Sequence, residues 1–263
     1  MPVKTIEKPQ VIQPKAEKFG RSNRIEILDF LRGAAMIFVM LYHLLYDLVY
    51  YQDMDIGFWG TDWFEWVHKF FLWILFAVSG ICTSFSRDTV KRGAVIYLMG
   101  SGLTIVSNIF SAGSVFVFGV LSFFGMMMII SGLIKPVTDK IDWRILLAAS
   151  LVLYVIFFDF AAKDGVLNFI FTQIKLPLPE DRLYLYPLGI THAGFRSMDY
   201  FPLIPNGFVY LAGAALAKPV KNRQLPKIFY SKTKTRALNF IGRHSLIFYI
   251  VHQPVFLLLT NIF

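Results

Sequence analysis

At 263 residues, 56% of them hydrophobic and only 16% charged, the chain is too apolar for a water-soluble domain, which carries about 25% charge. Its net charge of +9 would suit nucleic acid, but the basic residues sit in loops between apolar blocks, so the excess reads as topology and no nucleic-acid partner is expected. The apolar residues run in blocks rather than alternating, which argues against a membrane barrel. Cys82 is the sole cysteine, so no internal disulfide can form.

In chain order, Met1 to Gly20 is polar and bears Pro and Lys without an apolar core, so it is not read as a cleaved signal peptide. Residues 1–23 are expected to be a disordered cytoplasmic tail ahead of one transmembrane domain, residues 24–263. Apolar blocks follow at Ala34–Tyr51, Phe64–Phe85, Ala94–Phe110, Val115–Ile134, Ile145–Phe160, Phe201–Leu216 and Ser245–Ile262. Each approaches the ~20 residues that cross the hydrocarbon core. Each must be helical, because backbone amides in lipid have no water to bond. The pattern predicts an all-α polytopic protein with about seven transmembrane helices. Between the fifth and sixth blocks, Val166–Ile174 is apolar but too short to span. It is expected to lie on the membrane interface or to re-enter, with a turn over Leu176–Arg182.

Charge orients the spans. With the N-terminus cytoplasmic, 21 of the 26 Lys and Arg fall on the inner side, leaving Lys69, Lys163, Lys175, Arg182 and Arg196 outside. The first outer segment is acidic, with Asp53, Asp55, Asp62 and Glu65. Seven spans then place the C-terminus outside the cytoplasm, in a cell membrane of the bacterial inner or cytoplasmic kind. Membrane lipid is the standing partner, and the basic side suits anionic lipid or a polyanionic cytoplasmic cofactor.

Ionisable groups inside a bilayer cost at least ~2.5 kcal/mol at its centre, so they are functional candidates by default. The first helix carries four. At 100° per residue, Asp29, Arg32, His43 and Asp47 fall within about 40° of one line, while the other faces are Ile, Phe, Val and Leu. His43 and Asp47 stand at i and i+4, so their side chains can meet. A carboxylate on one ring nitrogen would fix the tautomer and raise the basicity of the other, as a general base requires. The plainer reading is a histidine that bonds between helices. His68 begins the second helix near the level of Tyr46 and Asp47. In the last block, Arg243 and His244 stand at the inner end and His252 precedes Pro254, which removes a helical hydrogen bond. His192 falls in an outer loop. No pair of histidines has local metal-ligand spacing, so no metal is expected.

Four segments in order resemble the heparan-α-glucosaminide N-acetyltransferase catalytic-domain-like family of membrane acyltransferases. They are Arg24-Ile-Glu-Ile-Leu-Asp-Phe-Leu-Arg-Gly33 leading to Tyr42-His43 and Tyr46-Asp47; His68-Lys-Phe-Phe running to Phe76-Ala-Val-Ser-Gly80; Asp199-Tyr-Phe-Pro-Leu-Ile-Pro205 running to Gly213; and Ile241-Gly-Arg-His-Ser245 followed by Tyr249 and His252-Gln-Pro254. The resemblance implies transfer of an acetyl or other acyl group from cytoplasmic acetyl-CoA, or another acyl-CoA, to an acceptor on the far side, commonly an amino sugar or glycan. It also implies a histidine near the transfer point, for which His43 is the matching position.

The residues then take roles. Arg32, Arg24, Arg243 and His244 are the candidates to hold the CoA phosphates. Arg32 and His43 lie about 16 Å apart along one helix face, close to the reach of an extended pantetheine arm. His43, polarised by Asp47, is the candidate general base or acyl carrier, with His68 or Tyr46 polarising the carbonyl or placing the acceptor. His252, Asp199 and Tyr200 are the candidate acceptor-binding residues. The alternative is a proton-coupled transporter or flippase that uses the same stripe as a relay; against it, no internal repeat is visible. A homo-oligomer is left open.

Overall fold

The computed structural model describes residues 25–110, 117–163, 165–169, 172–179, 184–191, 195, 197 and 199–260. Arg24, His192 and the expected N-terminal tail lie outside them. Eight α-helices follow in order among the described residues: α1 Glu26–Tyr51, α2 Asp62–Thr83, α3 Thr89–Phe110, α4 Val120–Thr138, α5 Trp143–Ile156, α6 Leu203–Lys221, α7 Arg236–Arg243 and α8 Ser245–Thr260. Each of the seven apolar blocks thus contains the greater part of one of these helices. Four of the helices, α1, α2, α4 and α6, are long and apolar enough to cross a membrane. The 14 residues of α5 rise only about 21 Å, and α3, though 22 residues long, carries Lys91, Arg92 and several hydroxyls. The seven-span count thus exceeds what length and hydropathy support by themselves.

Val166–Ile174 departs from expectation. Its backbone pairs as an antiparallel hairpin, β1 Val166–Phe169 with β2 Thr172–Lys175, Val166 facing Lys175 and Phe169 facing Thr172. Nine apolar-rich residues suit two short strands as well as one interfacial turn of helix, and an apolar count does not separate them.

Two close crossings hold the bundle. A Cβ on Gly80 of α2 would strike the Tyr210 carbonyl, and one on Gly213 of α6 would strike that of Ala77. Gly33 of α1 and Gly242 of α7 stand against each other in the same way. Small residues let helix backbones touch where lipid offers no hydrophobic drive to associate. Around the first crossing lies the central core, where Phe76, Phe123 and Tyr210 are fully buried and the rings of Phe76 and Phe123 stand 4.6 Å apart. The second crossing fixes α7, and with it the start of α8, against α1.

The helices alternate in direction. The start of α1, the end of α2 and the starts of α3 and α8 converge at a basic end with Arg32, Arg92 and Ser245. The ends of α4 and α6 bring Lys135, Lys218 and Lys221 to that same end. The opposite end gathers the later half of α1, the start of α2, the close of α5 and the entry to α6.

Candidate active site

The polar stripe of α1 faces α7 and α8, and each acid on it takes a partner there. Asp29, buried, accepts from Arg243 Nε at 3.2 Å. Asp47, 1% exposed, accepts from Gln253 Nε2 through both oxygens, at 3.3 and 3.2 Å. The expected His43–Asp47 pair is not formed among the described residues. Spacing of i and i+4 brings two side chains within reach, but the amide of Gln253 can serve both lone-pair directions of the carboxylate and a neighbouring imidazole cannot.

His43 meets a second histidine instead: its ring centroid lies 5.1 Å from that of His252. His252 Nδ1 stands 2.6 Å from the carbonyl of Tyr249. A carbonyl only accepts, so Nδ1 carries the proton and Nε2 keeps its lone pair. That Nε2 is buried and has no partner among the described residues, and neither has Gln253 Oε1. The carbonyl that His252 contacts is thus that of Tyr249, one residue before the Ile250 carbonyl whose helical N–H Pro254 removes.

Two cavities lie at opposite ends of the bundle, and neither is lined by His43 or His252 themselves. The one at the basic end has a volume of about 340 Å³. Arg32, Arg92, Ser86 and Ser245 give it a polar mouth, Leu75, Ile96 and Phe124 an apolar wall, and Val120 and Tyr249 the far limit. Val120 and Met128 both line it, so it runs at least about 12 Å along α4. Arg92 Nη1 donates to Ser86 Oγ at 3.3 Å. The second cavity, of about 410 Å³, is lined by Tyr42, Glu65, His68, Trp73, Tyr154 and Tyr200, among others. The His68 ring stacks on Tyr42 at 3.6 Å, Tyr42 Oη donates to Glu65 Oε1 at 3.4 Å, and Glu65 Oε2 lies 3.9 Å from His68 Nδ1.

Leu75 lines the first cavity and Leu72 the second, so about one turn of α2 separates them. A file of rings runs through the partition. From His68 to Tyr42, His43, His252 and Tyr249 the centroid steps are 3.6, 6.4, 5.1 and 5.4 Å. Tyr249 then donates its hydroxyl to Asp199 Oδ2 at 2.6 Å, and the same oxygen accepts the Val120 N–H at 3.1 Å. Burial pushes the Asp199 carboxyl up, against the pull of those two hydrogen bonds. Tyr200, next in the chain, donates to the Tyr186 carbonyl at 2.6 Å and is pushed up by burial in turn.

The structure thus brings His43, His252, Asp199 and His68 into one file, with Tyr200 on its outer wall. Tyr46 does not join it: its ring packs 4.4 Å from Tyr50 and 6.0 Å from Trp59, and like His43, His252 and Asp199 it lines neither cavity. Of the residues expected to hold phosphate, Arg32 lines the basic cavity, whereas Arg243 is tied to Asp29. His244 caps α7, with Nδ1 2.9 Å from the Phe240 carbonyl. Neither of those two lines the cavity. Arg92, Ser79 and Tyr249 were missed as site residues. The signal for Arg92 was its place at the start of a helix on the basic side; that for Tyr249 was its i, i+3 spacing to His252.

No curated protein and no solved structure matches the chain. A family model does: that of the catalytic region of heparan-alpha-glucosaminide N-acetyltransferase, over residues 24–254. That match takes in the file of rings and the helices that line both cavities. With four membrane-length helices beside it, this chain is a membrane protein that belongs to the heparan-alpha-glucosaminide N-acetyltransferase catalytic family, with the acetyltransferase-like function that membership carries.

Proposed function

We propose that the chain is a transmembrane acyltransferase that takes an acetyl or other acyl group from cytoplasmic acyl-CoA and passes it to an amino sugar or glycan on the far side. One observation carries this reading: two cavities at opposite ends of the bundle, about one turn of α2 apart, are lined by the two ends of a single file of imidazole and phenol rings, Tyr249 in one and His68 with Tyr42 in the other. On this reading the seven apolar helices all span, the basic end faces the cytoplasm, and the whole of residues 24–263 acts as one domain.

The basic cavity suits the donor. Arg32 and Arg92 offer forked guanidinium donors for phosphate at the mouth, and the apolar wall of Leu75, Ile96 and Phe124 suits a pantetheine chain. About 340 Å³ takes that arm and leaves the nucleotide outside. The thioester then arrives beside Tyr249. The outer cavity, with Glu65, Asp159, Asn206 and aromatic walls, suits a polar ring bearing an amine or hydroxyl.

In the reaction, the acceptor nitrogen or oxygen bonds to the thioester carbonyl carbon. The carbon–sulfur bond breaks, CoA leaves as its thiol, and His43 takes the acceptor's proton and returns one to the sulfur. An acyl-His43 intermediate reaches the same products in two steps. His252 Nε2, an acceptor without a donor among the described residues, orients the N–H or O–H of the incoming group. His68 and Tyr200 place that group from the outer side.

The test is acetyl transfer in proteoliposomes with labelled acetyl-CoA on the basic side and glucosamine as acceptor. His43→Ala should lose about 10²–10⁴-fold in rate, the usual weight of a general base. Normal transfer by correctly inserted His43→Ala protein would overturn the assignment, and acceptor movement without CoA release would point to transport.

A further inference from the structure

A third recess lies at the basic end, away from the ring file. It has a volume of about 250 Å³ and sits between the ends of α2, α4 and α6 and the start of α5. Lys135, Lys218 and Lys221 line it, with Asp139 as the only carboxylate among the described residues of its lining. Lys218 and Lys221 stand at i and i+3 on α6, both exposed, so their charges share one face and repel. Lys135, half-buried, donates to the Ser84 carbonyl at 3.3 Å, which fixes its ammonium beside the recess and leaves two of its three donors for another partner. Among the described residues none of the three lysines is ion-paired. Ser131 and Thr138 add hydroxyls.

The other half of the lining is apolar. Leu146, Leu211, Ala214 and Ala215 form it, and Trp143 stands at the start of α5. Next to the recess, Leu133 and Val137 of α4 and Ile145 of α5 are more than 60% exposed, at 67%, 63% and 64%. An apolar surface of that extent on membrane helices meets acyl chains. The recess therefore lies where such a surface ends and a cluster of ammonium groups begins. A tryptophan at that level is the usual interfacial anchor.

We propose that this recess binds an anionic phospholipid, its phosphate held by Lys135, Lys218 and Lys221 and its acyl chains laid along Leu133, Val137 and Ile145. Like charges around one hollow are relieved by an anion between them, and an apolar wall beside them selects an amphipathic ion over a free one. The site is separate from the donor cavity, which Arg32 and Arg92 mark. Thr83 lines both recesses, so a bound lipid stiffens a wall of the donor cavity.

The full chain, purified in detergent and stripped of lipid, is titrated with phosphatidylglycerol, with phosphatidylcholine of the same chains, and with inorganic phosphate. Binding is read by native mass spectrometry and by thermal unfolding. Phosphatidylglycerol should bind and raise Tm, and the other two should not. Lys218→Gln/Lys221→Gln, at two exposed positions that the fold does not need, should weaken phosphatidylglycerol binding on the order of tenfold or more. Lys218→Arg/Lys221→Arg should restore it, and Lys140→Gln/Lys227→Gln, at the same end but outside the recess, should leave it unchanged. Equal binding of phosphatidylcholine, full protection by inorganic phosphate alone, or an undiminished Tm rise in the Lys218→Gln/Lys221→Gln protein would each overturn the assignment.

Discussion

The Tyr249 hydroxyl donates to Asp199 Oδ2 at 2.6 Å, and that oxygen also accepts the first N–H of α4, from Val120 at 3.1 Å. One buried carboxylate thus ties α8 to the start of α4. Gly119 is part of the fit: a Cβ there would collide with the Asp199 carboxylate.

Tyr249→Phe should therefore do two separable things. It leaves a buried acceptor short of one donor, which costs about 1–3 kcal/mol and should appear as a lower Tm. It also loosens the residue that limits the donor cavity, so kcat should fall while acceptor KM changes little. Asp199→Asn keeps an acceptor for both donors and should be milder in Tm. Thermal unfolding in detergent together with steady-state acetyl transfer checks both, and equal Tm values for Tyr249→Phe and the parent would remove the tie from the account.

A second pair acts at the other end of the stripe. Asp47 and Gln253 are joined by two hydrogen bonds, at 3.3 and 3.2 Å, and the pair fixes how α8 presents His252 to His43. Asp47→Ala and Gln253→Ala should each destabilise, and a double-mutant cycle should return a coupling of about 1.5–3 kcal/mol, the range for a hydrogen bond to a charged group. If Asp47 instead polarises His43 directly, Asp47→Ala should lower kcat as far as His43→Ala does and Gln253→Ala should not. Comparison of the three rates decides it; on the geometry, Asp47→Ala and Gln253→Ala lose similar and smaller amounts than His43→Ala.

Much of this was legible in the chain, and the reason is physical. Helices of membrane length announce themselves as apolar blocks, since lipid leaves the backbone no other partner. The stripe of α1 followed from the angle per residue alone, and it does face α7 and α8. Spacing reports reach, however, and not choice. Nothing local to His43 and Asp47 shows that Gln253, 206 positions away, takes the carboxylate, or that His252 takes the place beside the imidazole. Arg243 and Arg92 are a similar case. Both are basic residues at the basic end, but Asp29 claims the first, and the packing of α3 on α4 turns the second into a cavity mouth. The hairpin at Val166–Phe169 and Thr172–Lys175 stayed hidden because short apolar runs carry no period long enough to read.

The α2–α6 crossing, like the α1–α7 one, should tolerate no added Cβ. A Cβ at Gly80 or Gly213 meets a backbone carbonyl rather than the end of a flexible side chain, so neither helix can give way without moving the core around Phe76 and Tyr210. Gly80→Ala and Gly213→Ala should each cost at least about 1–3 kcal/mol as overpacking, whereas Gly102→Ala, with nothing within 4 Å of its Cβ, should be neutral or slightly stabilising. Tm values for the three proteins in one detergent rank them.

The division of labour among the arginines gives the most direct test of the donor site. Arg32 and Arg92 line the basic cavity; Arg243 is held by Asp29 on α1. If the cavity takes an acyl-CoA phosphate, each guanidinium at its mouth contributes a charge-assisted contact of about 1.5–3 kcal/mol. Arg32→Ala and Arg92→Ala should then raise the KM for acetyl-CoA on the order of 10–100-fold and leave the acceptor KM unchanged. Arg243→Ala takes one charged partner from the buried Asp29 carboxylate, so it should lower Tm and expression while the surviving protein keeps its donor KM. The salt dependence adds an independent sign: screening weakens the phosphate contact, so donor KM should rise with ionic strength in the parent and in Arg243→Ala, and less steeply once Arg32 or Arg92 is gone. Donor KM unchanged in both Arg32→Ala and Arg92→Ala, at two ionic strengths, would take the phosphate away from this mouth and with it the donor assignment of the cavity.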